Sequence, residues 1–331
     1  MYRWIGAGFS RKMLIEDVSM HTILGAGGVI GNELMKELSE RGERVRLVGR
    51  NPKPAGITTE AVKADLADPA QTLTAIAGST IVYLVAGLQY DIKVWREFWP
   101  RIMHNTIEGC KRAQARLVFF DNVYMYGRVR GPMTEETPFN PCSRKGEIRA
   151  RIAAALLEEV KAGTLHALIA RAADFYGPDA RSGIPNVLVF DKFAKGAKAS
   201  WLVNDSTKHS YTFTPDAARS LVLLAGNEGS WNQTWHVPTA ADPPTGREFI
   251  EMAAREFEVR PRYRILSRAM IRIAGLFDTR IRELGEMLYQ NDSEYLFDST
   301  KFARAFGVEP TPYSEGIRIT AAWYKHSIEG P

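Results

Sequence analysis

The sequence predicts an α/β protein built on a doubly wound parallel sheet. Short apolar runs alternate with segments of helical periodicity in the first half of the chain, and a glycine-rich loop joins the first run to the first helix. Strands that alternate with helices form βαβ units, and right-handed crossovers then place helices on both faces of the sheet. The length of 331 residues allows about two domains.

The predicted elements follow in a regular order. Strands are predicted at residues 21–24, 44–48, 80–85, 116–120 and 165–169, and helices at 32–41, 94–115 and 147–161. Beyond residue 176 we expect a return to the sheet domain at 211–213 and 217–224, a last strand at 234–237, and helices near 246–257 and 267–276. We assign 20–175, completed by 209–237, to one domain, 176–208 and 238–331 to a smaller C-terminal α/β substrate domain, and 1–19 to an N-terminal extension.

Composition narrows the class of protein. Charged residues make up 24% of the chain, apolar residues 45%, and the formal net charge is +5, which is typical of a soluble globular protein. Two cysteines without a Cys-x-x-Cys pair predict a reducing cytoplasm, and scattered histidines predict no metal site. We expect neither a nucleic acid nor a membrane as partner, because the positive charge is weak and no apolar run could span a bilayer.

The strongest motif is a glycine-rich loop between a predicted strand and a predicted helix, Gly25-Ala26-Gly27-Gly28-Val29-Ile30-Gly31. Glycines permit a sharp turn and give a pyrophosphate access to the free N–H groups at the start of the helix. We therefore expect Gly25, Gly28, Val29 and Ile30 to contact a dinucleotide. Gly31 would let the helix pack closely on the strand, as in a Rossmann-type sheet.

Two later positions bear on the choice of cofactor. The second strand ends at Gly49 and Arg50, where a site that prefers NAD places an acidic residue for the ribose 2′-hydroxyl. Gly49 leaves space and Arg50 suits a 2′-phosphate, so the sequence favours NADP over NAD. Asp65 and Leu66 are expected beside the adenine, with a loop cap as the alternative role for Asp65.

These residues resemble the extended short-chain dehydrogenase/reductase family, its NAD(P)-dependent epimerase/dehydratase group. The glycine loop is similar to the family's GxxGxxG, and Asp65 matches its adenine-site aspartate. Further matching blocks are Leu84-Val85-Ala86-Gly87 with Ala86 lining the cofactor, Asn105, Val123-Tyr124-Met125-Tyr126-Gly127, Glu135 with Pro138 and Pro141, Arg171 through Pro178, and Tyr211 to Asp216. The resemblance covers residues 20 to the C-terminus. It implies a small-molecule substrate such as a sugar nucleotide, and it is compatible with a homodimer formed through a helix pair.

The resemblance fails at the catalytic positions. The family uses a Tyr-x-x-x-Lys pair, in which the tyrosine exchanges a proton with the substrate and the lysine holds the nicotinamide ribose. Here Lys145 takes the place of the tyrosine, Arg149 that of the lysine, and Asn122 that of the usual serine or threonine. The chain is therefore identified as an atypical member.

Several residues are candidates for the remaining chemistry. Arg149 is expected to bond the ribose, since its guanidinium cannot act as an acid or base. Lys145 is a candidate proton relay and Asn122 a hydrogen-bond donor to a substrate oxygen, unless Lys145 and Arg149 are only a basic helix face. Tyr124 is a second candidate proton donor, and packing is its alternative role.

Two further side chains are candidate substrate contacts. Tyr126 lies at the carboxyl end of a strand, where ligands bind in such sheets. Asp174 stands where relatives carry an asparagine that touches the substrate, and a loop cap is its alternative role. The sequence thus predicts an NAD(P)-dependent epimerase/dehydratase-like oxidoreductase acting on a hydroxyl or carbonyl. A noncatalytic NADP-binding redox sensor or regulator is the alternative, because the catalytic pair is replaced.

Overall fold

The computed structural model describes residues 19–53 and 59–329; the predicted N-terminal extension falls, apart from Ser19, outside this range. The strands are β1 Met20–Leu24, β2 Arg44–Gly49, β3 Thr59–Lys63, β4 Ile81–Leu84, β5 Arg116–Asp121, β6 Ala167–Arg171, β7 Asp174–Tyr176, β8 Ala199–Leu202, β9 Tyr211–Phe213, β10 Thr234–His236 and β11 Tyr263–Leu266. The helices are α1 Val29–Glu40, α2 Pro69–Ile76, α3 Ile92–Ala113, α4 Arg144–Lys161, α5 Asp191–Ala194, α6 Thr214–Ala225, α7 Gly246–Glu256, α8 Arg268–Ala274, α9 Thr279–Leu284, α10 Thr300–Phe306 and α11 Tyr313–Glu329.

A seven-stranded parallel sheet forms the centre, in the order β10-β6-β5-β4-β1-β2-β3. The order reverses between β1 and β4, which is where a doubly wound sheet opens a crevice for ligands. The predicted Rossmann-type α/β class is therefore confirmed. The strand predicted at 234–237 is β10, and it pairs with β6.

Two details differ from the expectation. The segment Tyr211–Phe213 does not return to the central sheet, because β9 pairs with β7 in a separate two-stranded sheet. The next segment, α6, does return, since it packs against α1 on one face of the central sheet. Strand β3 was not predicted, since its mostly exposed residues carry no apolar alternation.

Apolar side chains fill both faces of the central sheet. Leu84, Trp99 and Leu156 lie in the cluster under α2, α3 and α4, and Leu34 and Leu221 lie in the cluster under α1 and α6. A third cluster of aromatic side chains holds the C-terminal elements together around α7 and α11. Within the described residues, no helix combines the length and apolar character needed to cross a membrane.

Candidate active site

The glycine loop forms an open cradle at the end of β1. Gly25 has φ +121°, and a Cβ there would lie 2.6 Å from the backbone of Ala86, so the turns after β1 and β4 touch. A Cβ on Gly31 would lie 2.8 Å from the carbonyl oxygen of Gly25, which explains the close packing of helix on strand. Gly27 has φ +89° and open space beside it. The loop is therefore open at Gly27 and tightly packed at Gly25 and Gly31.

The start of α1 supplies hydrogen-bond donors to this cradle. The helix begins at Val29, and its N-cap residue Gly28 offers no side-chain cap. The first N–H groups of a helix have no partner within the helix and suit an anion. Ile30 is buried in the core, so it offers only its backbone to a ligand. These features fit the pyrophosphate of a dinucleotide.

The residues predicted to contact the adenine half of the dinucleotide lie after β2 and in the loop after β3. Arg50 is exposed and makes no ion pair or hydrogen bond within the described residues. Asp65 accepts a hydrogen bond from Ala67 N at 2.9 Å through Oδ1, so the loop-cap role is present while Oδ2 is left over. The carbonyl of Leu66 accepts from Asn105 Nδ2 at 3.0 Å. Asn105 thus ties α3 to the loop that follows β3.

Lys145 is locked in a buried ion cluster. Helix α4 begins after Ser143, whose hydroxyl caps Gly146 N, and the Lys145 side chain is fully buried. Its Nζ lies 2.5 Å from Glu283 Oε2 and 2.7 Å from Glu286 Oε1. It also lies 4.5 Å from the centre of the Tyr90 ring. The ammonium therefore serves two carboxylates from the C-terminal segment.

Arg149 is also committed to a buried partner. Its Nε donates to Asp121 Oδ1 at 2.7 Å, and Nη2 donates to the same oxygen. The guanidinium lies 4.4 Å from the Trp99 ring and 5.1 Å from the Phe119 ring. Only Nη1 makes no hydrogen bond within the described part of the chain. The expected contact with the ribose would therefore depend on that one nitrogen.

Asn122 and Tyr126 belong to the turn that follows β5. Asn122 Oδ1 accepts from Tyr124 N at 3.1 Å and so shapes the 3₁₀ turn, while its Nδ2 makes no hydrogen bond within the described residues. Tyr126 is 1% exposed; its hydroxyl accepts from Arg171 Nη1 at 2.7 Å and donates to His236 Nε2 at 2.9 Å. The structure thus places Tyr126 in the core and not on a substrate surface.

Tyr124 points differently from Tyr126. Its ring stacks on Trp95, with centroids 6.3 Å apart, and its hydroxyl is near that of Tyr90. Burial, reinforced by the negative charge of Asp174, raises the pKa of Tyr124 above its ordinary value, against the opposing effects of Tyr90 and Arg149. The Tyr124 phenol is therefore protonated at neutral pH.

Asp174 sits at the start of β7 and is held by a histidine. His209 Nε2 donates to Asp174 Oδ2 at 3.1 Å. The His209 ring is stacked between Tyr211 and Tyr295, each with its centroid 4.5 Å away. The Asp174 side chain keeps 22% of its surface exposed. This geometry presents a fixed carboxylate to the cleft.

The charge of this carboxylate acts on five tyrosines. Burial is the main cause of the raised pKa of each of these phenols, and the charge of Asp174 raises it further. The five residues are Tyr90, Tyr124, Tyr211, Tyr289 and Tyr295. The hydroxyl of Tyr289 is buried and has no hydrogen-bond partner within the described residues. The sequence did not indicate a site role for five of the residues found here, which are Tyr90, Tyr289, Tyr295, Glu283 and Glu286. Only Tyr90 had a local signal, since it lies three residues after Gly87.

The fold and the glycine loop together define a dinucleotide-binding Rossmann protein. The model of the NAD dependent epimerase/dehydratase family matches residues 21–237, which is more than half of the chain. The chain therefore belongs to this family, and the expected resemblance is confirmed. The family's cofactor is NAD, in agreement with the expected nicotinamide dinucleotide.

Solved structures share the fold at low identity. UDP-glucose 4-epimerase of Thermus thermophilus in complex with NAD has a TM-score of 0.75 and 19% identity over 92% of this chain and 99% of its own. MoeE5 in complex with UDP-glucose and NAD has a TM-score of 0.78 and 20% identity over 94% and 99%. dTDP-glucose 4,6-dehydratase of Bacillus anthracis str. Ames in complex with NAD has a TM-score of 0.78 and 15% identity over 94% of this chain and 98% of its own.

A curated relative is similar over part of the sequence. The protein y4nL of Sinorhizobium fredii (strain NBRC 101917 / NGR234) is 26% identical over 208 residues, which cover 57% of this chain and 56% of y4nL. The chain thus spans little more than half the length of this relative.

Proposed function

We propose that this protein is a nicotinamide-dependent oxidoreductase of the epimerase or dehydratase type, acting on a hydroxyl or carbonyl of a sugar nucleotide. The observation that carries the proposal is the Asp174 carboxylate, fixed by His209 and close to the Tyr124 phenol. Tyr124 follows the end of β5 and Asp174 follows the end of β6, at the carboxyl edge of the central sheet, where such folds bind ligands. The proposed reacting groups therefore differ from the family's pair.

The proposed cofactor is NADP, with NAD as the alternative. Gly25, Gly28 and the backbone of Val29 would hold the pyrophosphate, and Ala86 would line the nicotinamide side. Arg50 is an exposed cation without an ion pair in the described residues, and it would meet a 2′-phosphate. When bound, the nicotinamide supplies or accepts the hydride.

Tyr124 is the proposed proton donor. Because its pKa is raised, the phenol keeps its proton until an oxyanion develops on the substrate. The Tyr90 hydroxyl and the charge of Arg149 favour the phenolate that is left behind, since both act to lower the pKa of Tyr124. Tyr124 would thus do the work that the family assigns to the residue at position 145.

Asp174 is the proposed acceptor for a substrate hydroxyl. Its carboxylate is partly exposed, and the hydrogen bond from His209 fixes its direction. A carboxylate beside a neutral phenol provides a base and an acid in one cleft. Asn122 Nδ2 would donate to the substrate oxygen. Lys145 is not given a proton-transfer role, because its ammonium faces Glu283 and Glu286.

The substrate class follows from the solved structures of similar fold. MoeE5 was solved with UDP-glucose, and the other two carry names of enzymes acting on UDP-glucose and dTDP-glucose. A partly exposed carboxylate with a phenol nearby suits a sugar, since both groups form hydrogen bonds with sugar hydroxyls. We further propose a cytoplasmic location, in keeping with the free thiols of Cys110 and Cys142.

Turnover of nucleotide sugars tests the proposal. The full-length chain is incubated with UDP-glucose or dTDP-glucose and either dinucleotide, and products are followed by NMR. We expect Tyr124→Phe and Asp174→Asn each to lower kcat about a hundredfold or more. Tyr83→Phe is the matched control, because Tyr83 is a core tyrosine bonded to His21. If Tyr124→Phe and Tyr83→Phe turn over equally, Tyr124 has no catalytic role.

A second candidate function is a noncatalytic NADP-binding regulator. The observation that favours it is the commitment of both replacement residues, Lys145 and Arg149, to buried carboxylates. A regulator would bind the dinucleotide without turnover on any nucleotide sugar. Dinucleotide binding without any turnover would assign the regulator, whereas turnover that is lost in Tyr124→Phe would assign the enzyme.

A further inference from the structure

The hairpin formed by α8 and α9 carries an exposed apolar tip. Met270 and Ile273 lie on α8, Leu276 and Phe277 lie in the turn that follows it, and all four side chains are exposed. Leu276 is 76% exposed and Phe277 87%, the highest values among large apolar side chains of the described residues. Clustered apolar side chains in water are typical of a binding surface.

The rest of the hairpin fixes this tip in place. On the opposite face of α8, Ile271 is buried with Leu202 and Leu288. A Cβ on Gly275 would lie 2.9 Å from the Cα of Arg282, so the two short helices are in close contact. The tip is therefore anchored to the fold through Ile271 and Gly275, while its apolar side chains stay exposed.

Positive charge surrounds the tip. Arg272, Arg280 and Arg282 are exposed and form no ion pair within the part of the chain that the structure describes. The only acidic residue between positions 267 and 282 is Asp278, whose carboxylate accepts from Arg280 N at 2.7 Å and caps α9. The hairpin thus combines protruding apolar side chains with uncompensated guanidinium groups.

We propose that the hairpin tip docks on the surface of an anionic lipid bilayer. Leu276 and Phe277 would enter the boundary between headgroups and hydrocarbon, while Arg272, Arg280 and Arg282 pair with phosphates. A deformable hydrocarbon boundary accepts convex side chains without a preformed pocket. A second copy of the chain fits less well, because a two-fold contact would bring like charges together.

Docking on a bilayer surface differs from the membrane-spanning interaction that the sequence argued against. That expectation rested on the lack of an apolar run long enough to span a bilayer. Docking at the surface needs only a few protruding side chains and positive charge. The inference does not depend on the proposed catalytic function, because the hairpin tip contains none of the proposed reacting groups.

Vesicle sedimentation of the full-length protein tests the proposal. The vesicles contain either phosphatidylcholine alone or equal parts of phosphatidylcholine and phosphatidylglycerol. We expect binding to the mixed vesicles only, weakened by salt. The double variant Leu276→Ser/Phe277→Ser should bind at least about tenfold more weakly, since it removes two inserted apolar side chains. Arg272→Gln/Arg280→Gln should also weaken binding and reduce its dependence on salt.

Two matched variants control for general surface effects. Val187→Ser replaces a 40% exposed apolar residue outside the hairpin, and Arg130→Gln replaces an exposed arginine elsewhere. Both should bind mixed vesicles like the wild type. Equal binding by wild type and Leu276→Ser/Phe277→Ser would overturn the proposal, as would the absence of vesicle binding. Self-association abolished by that double variant, without vesicle binding, would instead assign the tip to a contact between copies.

Discussion

Replacement of Lys145 by methionine tests whether this residue is structural. The ammonium has no exposed surface, and Glu283, its nearest partner, is 5% exposed. In Lys145→Met, Glu283 keeps a hydrogen bond from Ile92 N but loses its cation, whereas Glu286 keeps Arg144 at 3.5 Å. Removing one partner of a buried pair costs about 3–5 kcal/mol. We expect a loss near the lower end, about 3 kcal/mol, because Glu283 retains one donor.

The assay is urea unfolding of the full-length protein, followed by tryptophan fluorescence. Lys111→Met is the matched control, since Lys111 also faces two carboxylates, Glu108 and Glu159, but its side chain is 30% exposed. That change should cost less than about 1 kcal/mol. The triple variant Lys145→Met/Glu283→Gln/Glu286→Gln should recover most of the loss, because it leaves no buried carboxylate unpaired.

The reasoning is refuted if Lys145→Met unfolds at the same urea concentration as the wild type. If that variant is stable but inactive, Lys145 acts in proton transfer after all. If it is unstable, and the triple variant regains both stability and turnover, the lysine is a structural replacement for the family's tyrosine. Stability and turnover therefore have to be measured on the same preparations.

Three further changes test other parts of the structure. Gly25→Ala should abolish dinucleotide binding by calorimetry and cost more than about 1 kcal/mol, because its Cβ would lie 2.6 Å from Ala86, while Gly42→Ala, with open space around it, should bind normally. Burial lowers the pKa of His236 to about 3, so the unfolded chain takes up a proton at a higher pH than the folded protein does. The free energy of unfolding should therefore fall by up to about 1.4 kcal/mol per pH unit as the pH drops below 6.5. In urea unfolding, His236→Gln should flatten that slope. Arg50→Ala should weaken NADP and leave NAD unchanged in calorimetric titration; equal losses for both would remove the NADP preference.

The local signals of the sequence predicted most of the nucleotide-binding half. The glycine loop, the strand that precedes it and the helix that follows are contiguous, and their chemistry depends on backbone geometry that glycines reveal directly. The predicted helix at 147–161 is α4, which begins three residues earlier because Ser143 caps Gly146. Strand β10 was also found, although it joins the sheet beside β6 from more than sixty residues away.

The side-chain partners at the active site could not be read in this way. Glu283 and Glu286 are 138 and 141 residues from Lys145, so no spacing in the sequence relates them. The burial of Tyr126 depends on a local detail. Residues 124–126 form a 3₁₀ turn instead of continuing the strand, so Tyr124 faces Trp95 while Tyr126 faces His236. The directions of these two tyrosine side chains depend on a turn that the sequence pattern of β5 did not indicate.

The buried ion cluster makes substitutions in α4 depend on a segment that lies far away in the sequence. Restoring tyrosine at position 145 alone would strand Glu283 and Glu286 beside a neutral phenol, and Arg149→Lys alone would forfeit one of the two guanidinium contacts to Asp121. Each single step toward the family's pair therefore passes through a less stable protein. Substitutions at Lys145 are therefore expected to be tolerated only when the segment that carries Glu283 and Glu286 changes with them.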